Sequence, residues 1–409
     1  MNRRNFFPVV GLILLVAVIV TQIPWVNSRL GWRLEVAKTI VDSVVNPIGE
    51  MPTPVPSTAQ VIFSTPSPTP AVTPDTELPT SVPEPTATPL PGQVKLTSPE
   101  WEVQDWNNCG PDTLSFYLQH YGWDGDQFDI SAVLKPERPD RNVNVEELVY
   151  YVRNYAGWLN TMFRVGGDIE ILEQLIAAGI PVLIEESARV EDGWARLDDD
   201  YWDGHYLLLT GYDQTSQTFT AQDSLRGADQ VVTYEDTLAR WQPFNYVYLI
   251  VYLPDQEETV KEILGANWEN DKNREYARDL AQQQIEADSQ DAFAWFNLGS
   301  NLVYFAQYEQ AGAAYDQARE IGIPQRMLRY QFGPFFTYFN LQNSVTLLAL
   351  ADYAISITSN SEEAWLWKGW AHYQKGEREP AVEAFREAYW ANIYSADAQY
   401  ALEFMDATP

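Results

Sequence analysis

The sequence is poor in cysteine, since Cys109 is the only one among 409 residues. A single cysteine excludes an internal disulfide, and it also excludes a Cys-x-x-Cys pair for zinc binding or disulfide exchange. The stability of the folded chain must therefore come from packing. The hydrophobic content of 45% is sufficient for real cores, and the length is enough for two or three domains.

Positive charge is scarce as well. The chain has 26 Lys and Arg residues against 57 Asp and Glu residues, which gives a formal net charge of −31. Such a surface repels the phosphate backbone of nucleic acids, so nucleic acid is not expected as a partner. The acidic residues are spread along the chain, which is typical of a solvated surface.

One long apolar run stands near the N-terminus. Residues 6–26 follow Arg3 and Arg4 and are almost wholly apolar. A helix needs ~20 such residues to cross a bilayer, and this run is long for a signal peptide. We therefore predict an uncleaved, single-pass membrane anchor in residues 1–28, with a cleaved signal peptide as the alternative.

Two segments connect the anchor to the rest of the chain. Residues 29–50 carry an apolar stripe, which predicts either an amphipathic segment on the membrane surface or a helical extension of the anchor. Residues 51–92 contain twelve prolines, many Thr and Ser residues, and no Lys or Arg. This composition cannot bury a core and predicts a disordered, extended linker. Because such stalks usually hold a domain away from an outer surface, we expect the body of the protein outside the cytoplasm.

Helix patterns precede strand patterns in residues 93–254. Helical spacing occurs at 111–121, 144–156 and 168–178. The later apolar runs, typical of strands, are IPVLIEE, HYLLLTGY, TFTAQDS and YVYLIVYLP. This order predicts one α+β domain.

Residues 255–409 are helical and repetitive. Gly265 and Gly299 lie 34 residues apart, and the same spacing recurs between other small and aromatic residues. This period predicts an all-α solenoid of tetratricopeptide repeats, with an ordinary helical bundle as the alternative. Units fit near 258–291, 292–325 and 362–395. In the irregular unit between the last two, Gly333 keeps the register, but we expect Pro334 to break a helix.

The surroundings of Cys109 indicate a nucleophile. Asn107 and Asn108 precede it and Gly110 and Pro111 follow it, so the thiol stands where a helix begins. The positive end of a helix favours thiolate, which is the nucleophilic form. The alternative is that this cysteine is a small buried hydrophobe.

A thiol nucleophile requires a base, and the chain has three histidines. His120 follows Cys109 on the same predicted helix and lies too far along it, at ~1.5 Å per residue. His372 falls at a core position of the last repeat. His205, at the start of the strand run HYLLLTGY, is therefore the predicted base.

Two further polar residues complete the predicted site. If the strands after His205 fold as a hairpin about Gln214, Asp223 faces His205 and can orient its ring, and Asp203 is the second candidate for this role. Gln104, five residues before the cysteine, can donate to an oxyanion together with the backbone N–H of Cys109.

These motifs resemble a known family of enzymes. Q-x3-N-C-G-P, GHYLLLTGYD, the later Asp-Ser and LEQLIAAGIPVLIEE are similar to papain-like bacteriocin-processing peptidases, family thirty-nine of the cysteine peptidases, over roughly Gln93–Pro254. The resemblance implies Cys109 as nucleophile, His205 as base, Asp223 as orienter and Gln104 as oxyanion donor. The family usually has one more residue between Gln and Cys. Its transporter-fused members also carry an ATP-binding loop, which is not found here, so their double-glycine leader substrate is not implied.

A second resemblance, to tetratricopeptide repeats, covers roughly Glu258–Tyr394 and implies binding of a peptide or protein. The sequence thus predicts a membrane-anchored extracytoplasmic cysteine peptidase that acts on a peptide or protein substrate, with repeats that recruit a peptide or protein partner. No cofactor or metal is expected. The alternatives are a non-catalytic binding or scaffold protein, and a cysteine acyltransferase or amidase.

Overall fold

The structure is a computed structural model of the chain, and it describes residues 41, 45, 48–54, 89–136, 142–189 and 202–409. The predicted anchor and most of the predicted amphipathic segment and linker lie outside these residues. Among the helices of the described part, none is long and apolar enough to span a bilayer.

An antiparallel sheet forms the centre of the first region. In the described residues its strands are β1 (Gln93–Lys95), β2 (Asn160–Arg164), β3 (Val182–Arg189), β4 (Trp202–Asp213), β5 (Thr218–Asp223), β6 (Gly227–Thr233) and β7 (Tyr248–Tyr252). The strand order is β2-β7-β3-β4-β5-β6, and β1 pairs with the end of β4. Strand β4 therefore lies among three partners.

Helices cover both faces of this sheet. They are α1 (Cys109–His120), α2 (Gln127–Leu134), α3 (Val145–Tyr155), α4 (Ile169–Ala177), α5 (Tyr234–Trp241) and α6 (Glu257–Leu264). Buried residues of α1, α2 and α3 pack with Leu208 and Leu249 on one face. Buried residues of α4, α5 and α6 pack with Leu207 and Ile250 on the other. Because neighbouring residues of a strand point to opposite faces, this double cover explains the unbroken apolar runs in β4 and β7.

The predicted α+β order is confirmed. Three predicted helices correspond to α1, α3 and α4, and the four predicted strands correspond to β3, β4, β5 and β7. The elements α2, α5, β1, β2 and β6, which are short or weakly apolar, were not predicted.

The rest of the chain consists of consecutive helices, consistent with a helical solenoid. They are α7 (Asn270–Ala287), α8 (Ala292–Tyr304), α9 (Tyr308–Ile321), α10 (Gly333–Asn340), α11 (Ser344–Ile357), α12 (Glu362–Gln374), α13 (Arg378–Ala391) and α14 (Ala396–Phe404). A Cβ at Gly299 would lie 2.7 Å from the ring of Tyr315, and one at Gly369 would lie 2.3 Å from the ring of Phe385. Small residues of one helix therefore leave room for aromatic rings of the next helix.

The expectation for Pro334 was wrong. Helix α10 begins at Gly333, and Pro334 stands in its first turn. A proline there costs no hydrogen bond, because the first N–H groups of a helix have no partner within it. Pro334 thus begins a helix.

The two regions share an interface that reaches the start of β4. The side chains of Asn245 and Asn301 bond to each other at 3.0 and 3.2 Å. The ring of Trp202 stacks on Phe244 and meets the ring of Tyr330 edge-on. The helical region therefore supports the first residues of β4.

Gly204 shows how closely this support approaches the strand. A Cβ at this position would lie 3.0 Å from Phe244 and 3.1 Å from Tyr330, which is tighter than ordinary contact. A larger residue immediately before His205 would thus require these two rings to shift by a few tenths of an ångström.

Candidate active site

Cys109 is the first residue of α1, as predicted. The side chain of Asn108, just before it, does not cap the helix but donates to Gln127 Oε1 at 2.7 Å. The same oxygen accepts from the backbone N–H of Asp105 at 2.7 Å, and Gln127 Nε2 donates to the carbonyl of Val103 at 3.1 Å. Gln127, which the sequence analysis missed, therefore holds the loop that leads into the cysteine.

His205 stands between Cys109 and Asp223. The histidine is 5% exposed, and its Nε2 lies 2.9 Å from Asp223 Oδ1. The side chain of Cys109 lies close enough to help raise the pKa of His205, and Nδ1 is the ring nitrogen that does not contact Asp223. Three residues that are far apart in sequence thus meet in one chain of contacts.

Asp223 is held as an anion. Its Oδ1 accepts from the backbone N–H groups of Leu225 at 2.8 Å and Arg226 at 3.0 Å, and Arg226 Nη1 lies 3.2 Å from Oδ2. Burial acts to raise the pKa of Asp223, but the hydrogen bond and charge of His205 and the two N–H groups outweigh it and hold the pKa well below its usual range.

The charge of His205 follows from this arrangement. Burial alone would lower its pKa, but the hydrogen bonds and charges of Asp223 and Cys109 prevail and raise the pKa to about 10. The ring therefore carries a proton at neutral pH. The same proton contributes stability below the pKa of an unfolded histidine, ~6.5, and this contribution is lost as the pH rises toward 10.

The predicted hairpin register was wrong, although the predicted contact forms. Asp223 pairs with Leu207, not with His205. His205 lies two residues before Leu207 on β4, so both project from the same face of the sheet. Diagonal neighbours on one face remain within reach of each other, and the imidazole spans this distance.

Two irregularities of the hairpin together give this result. The turn pairs Asp213 with Thr218, three residues further along the chain than predicted. An odd shift would place Asp223 on the face opposite His205. A bulge at Thr210, between the paired residues Leu209 and Gly211, reduces this shift by one residue. The net shift of two restores the shared face.

Ser224, the residue after Asp223, holds Gln104 in place by two hydrogen bonds. Its backbone N–H donates to the carbonyl of Ser224 at 2.9 Å, and the Ser224 hydroxyl donates to Gln104 Oε1 at 2.8 Å. Ser224 is completely buried. Because the amide oxygen is occupied in this way, the Nε2 group of Gln104 remains to donate elsewhere. Ser224 was noted in the sequence only as part of a motif.

The remaining candidates lie elsewhere. His120 is in the last turn of α1, where its ring meets the ring of Tyr121 edge-on. His372 is on α12, with Nδ1 2.6 Å from Glu377, and is partly buried. Asp203 lies 3.9 Å from Arg329. Of the three histidines, His205 is thus the one that bonds to Asp223.

Two buried acids near the site were missed. Glu186 is paired directly opposite His205 on β3 and is 2% exposed. Asp112, in the first turn of α1, is completely buried, and neither of its carboxylate oxygens accepts a hydrogen bond from a described residue. Burial and the charge of Glu102 raise the pKa of Asp112 to about 9. A neutral Asp112 adds no negative charge beside the thiol.

Among the described residues there is no candidate metal site, and a cavity lies away from Cys109 and His205. Within the described ranges, His, Cys, Asp and Glu side chains form no group that could hold a metal ion. A cavity of about 450 Å³ lies between α3, β2 and the start of α7, lined by Arg153, Arg274 and Tyr304 among others. None of the four predicted site residues lines it.

Comparison with protein families gives a match in the first region of the chain. The model of the Peptidase_C39 like family matches residues 90–249, which is less than half of the chain. This range contains all four predicted site residues. No curated protein sequence matches the chain.

Solved structures of two kinds are similar to parts of the chain. A C39-like peptidase from Bacillus anthracis shares 20% identity over 39% of this chain and 96% of its own, with a TM-score of 0.31. A double glycine motif protease from an AMS/PCAT transporter, in complex with its leader peptide, shares 17% over 39% and 94%, with a TM-score of 0.29. YrrB, a TPR protein with an unusual peptide-binding site, shares 19% over 36% and 73%, with a TM-score of 0.30.

The substitution Asp112→Asn should remove a pH-dependent loss of stability. The folded chain keeps this proton up to about pH 9, whereas the unfolded chain releases it near pH ~4. The free energy of unfolding therefore falls as the pH rises between these values, by up to about 1.4 kcal/mol per pH unit from this group. Urea denaturation from pH 5 to pH 8 should show a smaller fall for Asp112→Asn. Parallel curves for the two proteins would contradict the assignment.

Proposed function

We propose that the chain is a cysteine peptidase that hydrolyses a peptide bond with Cys109, His205, Asp223 and Gln104. One observation carries the proposal: a buried histidine bonds to an anionic carboxylate, and the thiol at the start of α1 helps to raise the pKa of the same ring. Burying a charged histidine is costly unless both of its nitrogens are engaged by partners that favour the charge. Nucleophilic catalysis by a thiol uses such a pair.

The steps follow from the charges. With the proton on His205, the Cys109 sulfur attacks the substrate carbonyl carbon as thiolate, and the carbonyl oxygen becomes an oxyanion. The Cys109 N–H, which has no partner within the helix, and the Gln104 amide donate to it. His205 then gives its proton to the leaving amine and a thioester forms. Water loses a proton to His205, attacks the thioester, and releases the carboxylic acid product and the thiolate.

The remaining regions complete the proposal. Residues 1–28 anchor the chain in a membrane, residues 93–254 form the peptidase domain outside the cytoplasm, and residues 255–409 recruit a peptide or protein partner. Support comes from the apolar N-terminal run and from the repeat pairing of Gly299 with Tyr315. A pure binding protein would not need the proton on His205.

A peptidyl epoxide probe tests the catalytic pair. The unmodified chain should label at Cys109, and His205→Ala should label at least about 100-fold more slowly, because general acid–base help is worth ~10²–10⁴-fold. His372→Ala is the matched control, since that histidine also pairs with a carboxylate but lies on α12. Labelling rates are read by intact mass.

Three outcomes separate the functions. Equal labelling of His205→Ala and the unmodified chain would overturn the peptidase proposal and favour a binding protein. Peptide substrates distinguish the enzyme classes, since hydrolysis gives a free carboxylic acid. Product in which the acyl group is joined to an added amine, with no free acid, would instead establish an acyltransferase.

Ser224→Ala should lower kcat by about tenfold and leave KM nearly unchanged. Removing an oxyanion donor costs about 10²–10³-fold, and Ser224 acts only by positioning that donor, so its loss should cost less. Ser216→Ala, on the exposed turn of the same hairpin, is the control. If Ser224 acts through Gln104, the double variant Gln104→Ala/Ser224→Ala should be no slower than Gln104→Ala alone. Losses that multiply would contradict this role.

Membrane topology is tested on intact cells. Added protease should cut between residues 51 and 92, because this proline-rich stretch is predicted to lie outside the cytoplasm. The product is read on a denaturing gel with a C-terminal tag. Cleavage that requires lysis would reverse the proposed orientation.

A further inference from the structure

A short N-terminal segment, residues 48–54, packs on the repeats. Ile48 is only 8% exposed and joins an apolar cluster with Leu328, Phe335 and Leu347, and Met51 packs partly buried against the same cluster. Residues 51–54 thus depart from the extended spacer that their composition predicts. Two apolar side chains three residues apart enter one apolar surface.

A buried arginine holds the backbone of this segment. Arg319 Nη1 donates to the carbonyl oxygen of Pro52 at 2.9 Å. The Arg319 side chain is 2% exposed, lies 2.6 Å from Asp316, and stacks over the ring of Tyr338 at 5.6 Å. The contact is therefore made by a preorganised side chain of α9, and not by a mobile surface residue.

These contacts define the chemistry of the ligand. Asp316 compensates the charge of Arg319, so the guanidinium meets an uncharged carbonyl here and a ligand carboxylate is not required. Pro52 and Pro54 have no N–H groups that need acceptors, and proline favours an extended backbone. The surface thus fits an extended, proline-containing peptide with apolar side chains three positions apart.

We propose that this surface is a peptide-binding site of the repeats and that residues 48–54 are its resident ligand, which excludes other proline-containing peptides of the same pattern. The inference rests on the recruitment role in the proposed function. A covalently tethered segment acts at an effective concentration that reaches the millimolar range, so a partner in solution competes poorly until the segment leaves. Recruitment through this site would then be gated by the chain itself.

Peptide binding in trans tests the proposal. The probe is a fluorescein-labelled synthetic peptide with the sequence of residues 45–56, titrated against the full-length chain by fluorescence anisotropy. The variant Ile48→Asp/Met51→Asp, which cannot bury its own segment, should bind the peptide at least tenfold more tightly than the unmodified chain. Val45→Asp is the matched control, because Val45 is 66% exposed and should not alter binding. Equal affinities for the unmodified chain and the double variant would overturn the proposal.

Two further arms identify the contacts. In the double-variant background, Arg319→Lys keeps the positive charge but loses the planar guanidinium group with its several N–H donors, so peptide binding should weaken about tenfold. A probe peptide with Asp at the position of Ile48 should not bind. Binding of that peptide as tightly as the original would overturn the proposed recognition. Probe labelling of Cys109 should be unchanged in all variants, so failure here is distinct from failure of the peptidase.

The accessibility of residues 48–54 can be measured in the unmodified chain, without any variant. In the unmodified chain, an excess of the 45–56 peptide should displace the tethered segment and speed deuterium uptake and peroxide oxidation in that segment, the oxidation being read at Met51 because its side chain packs partly buried against the cluster. Because the measurement follows the resident segment itself, it remains decisive if the double variant does not fold. An unchanged oxidation rate of Met51 at saturating peptide would contradict displacement from a shared site.

Discussion

The contact between His205 and Asp223 is the interaction on which the rest of the site depends. A histidine that is 5% exposed loses most of its hydration, and burial alone would leave it neutral. The carboxylate at 2.9 Å reverses this, and the carboxylate is itself kept anionic by two backbone N–H groups. A charged imidazole is what the proposed attack by Cys109 requires. Without Asp223, burial would leave the ring neutral.

The helical repeats also belong to the architecture of this site. Trp202, Phe244 and Tyr330 pack together at the start of β4, two residues before His205 and beside Gly204. The peptidase-like region and the repeats therefore share one interface. The repeats carry a second surface, formed around Arg319, on which residues 48–54 lie. The contacts of the solenoid with the start of β4 and with residues 48–54 are thus made by different side chains.

Local patterns in the sequence were enough to predict that His205 and Asp223 come into contact and that Cys109 begins a helix. The Asn-Cys-Gly-Pro string marks a helix start, and three histidines leave few choices for a base. The register of the hairpin could not be predicted, because the turn length and the bulge at Thr210 depend on how β4 packs among its partners. The roles of Gln127 and Ser224 were missed for a similar reason. Each acts through a tertiary hydrogen bond between segments distant in sequence.

The account depends most on a proton shared within the Cys109–His205 pair. Histidine-selective nitrogen NMR on the full-length chain measures this proton as a function of pH, with His120 and His372 as internal references. The account predicts that His205 remains protonated at pH 8 and titrates near pH 10, and that Cys109→Ala lowers this value because one of the stabilising partners is removed. Titration of His205 near ~6.5, the value of an unperturbed histidine, with no effect of Cys109→Ala, would contradict it.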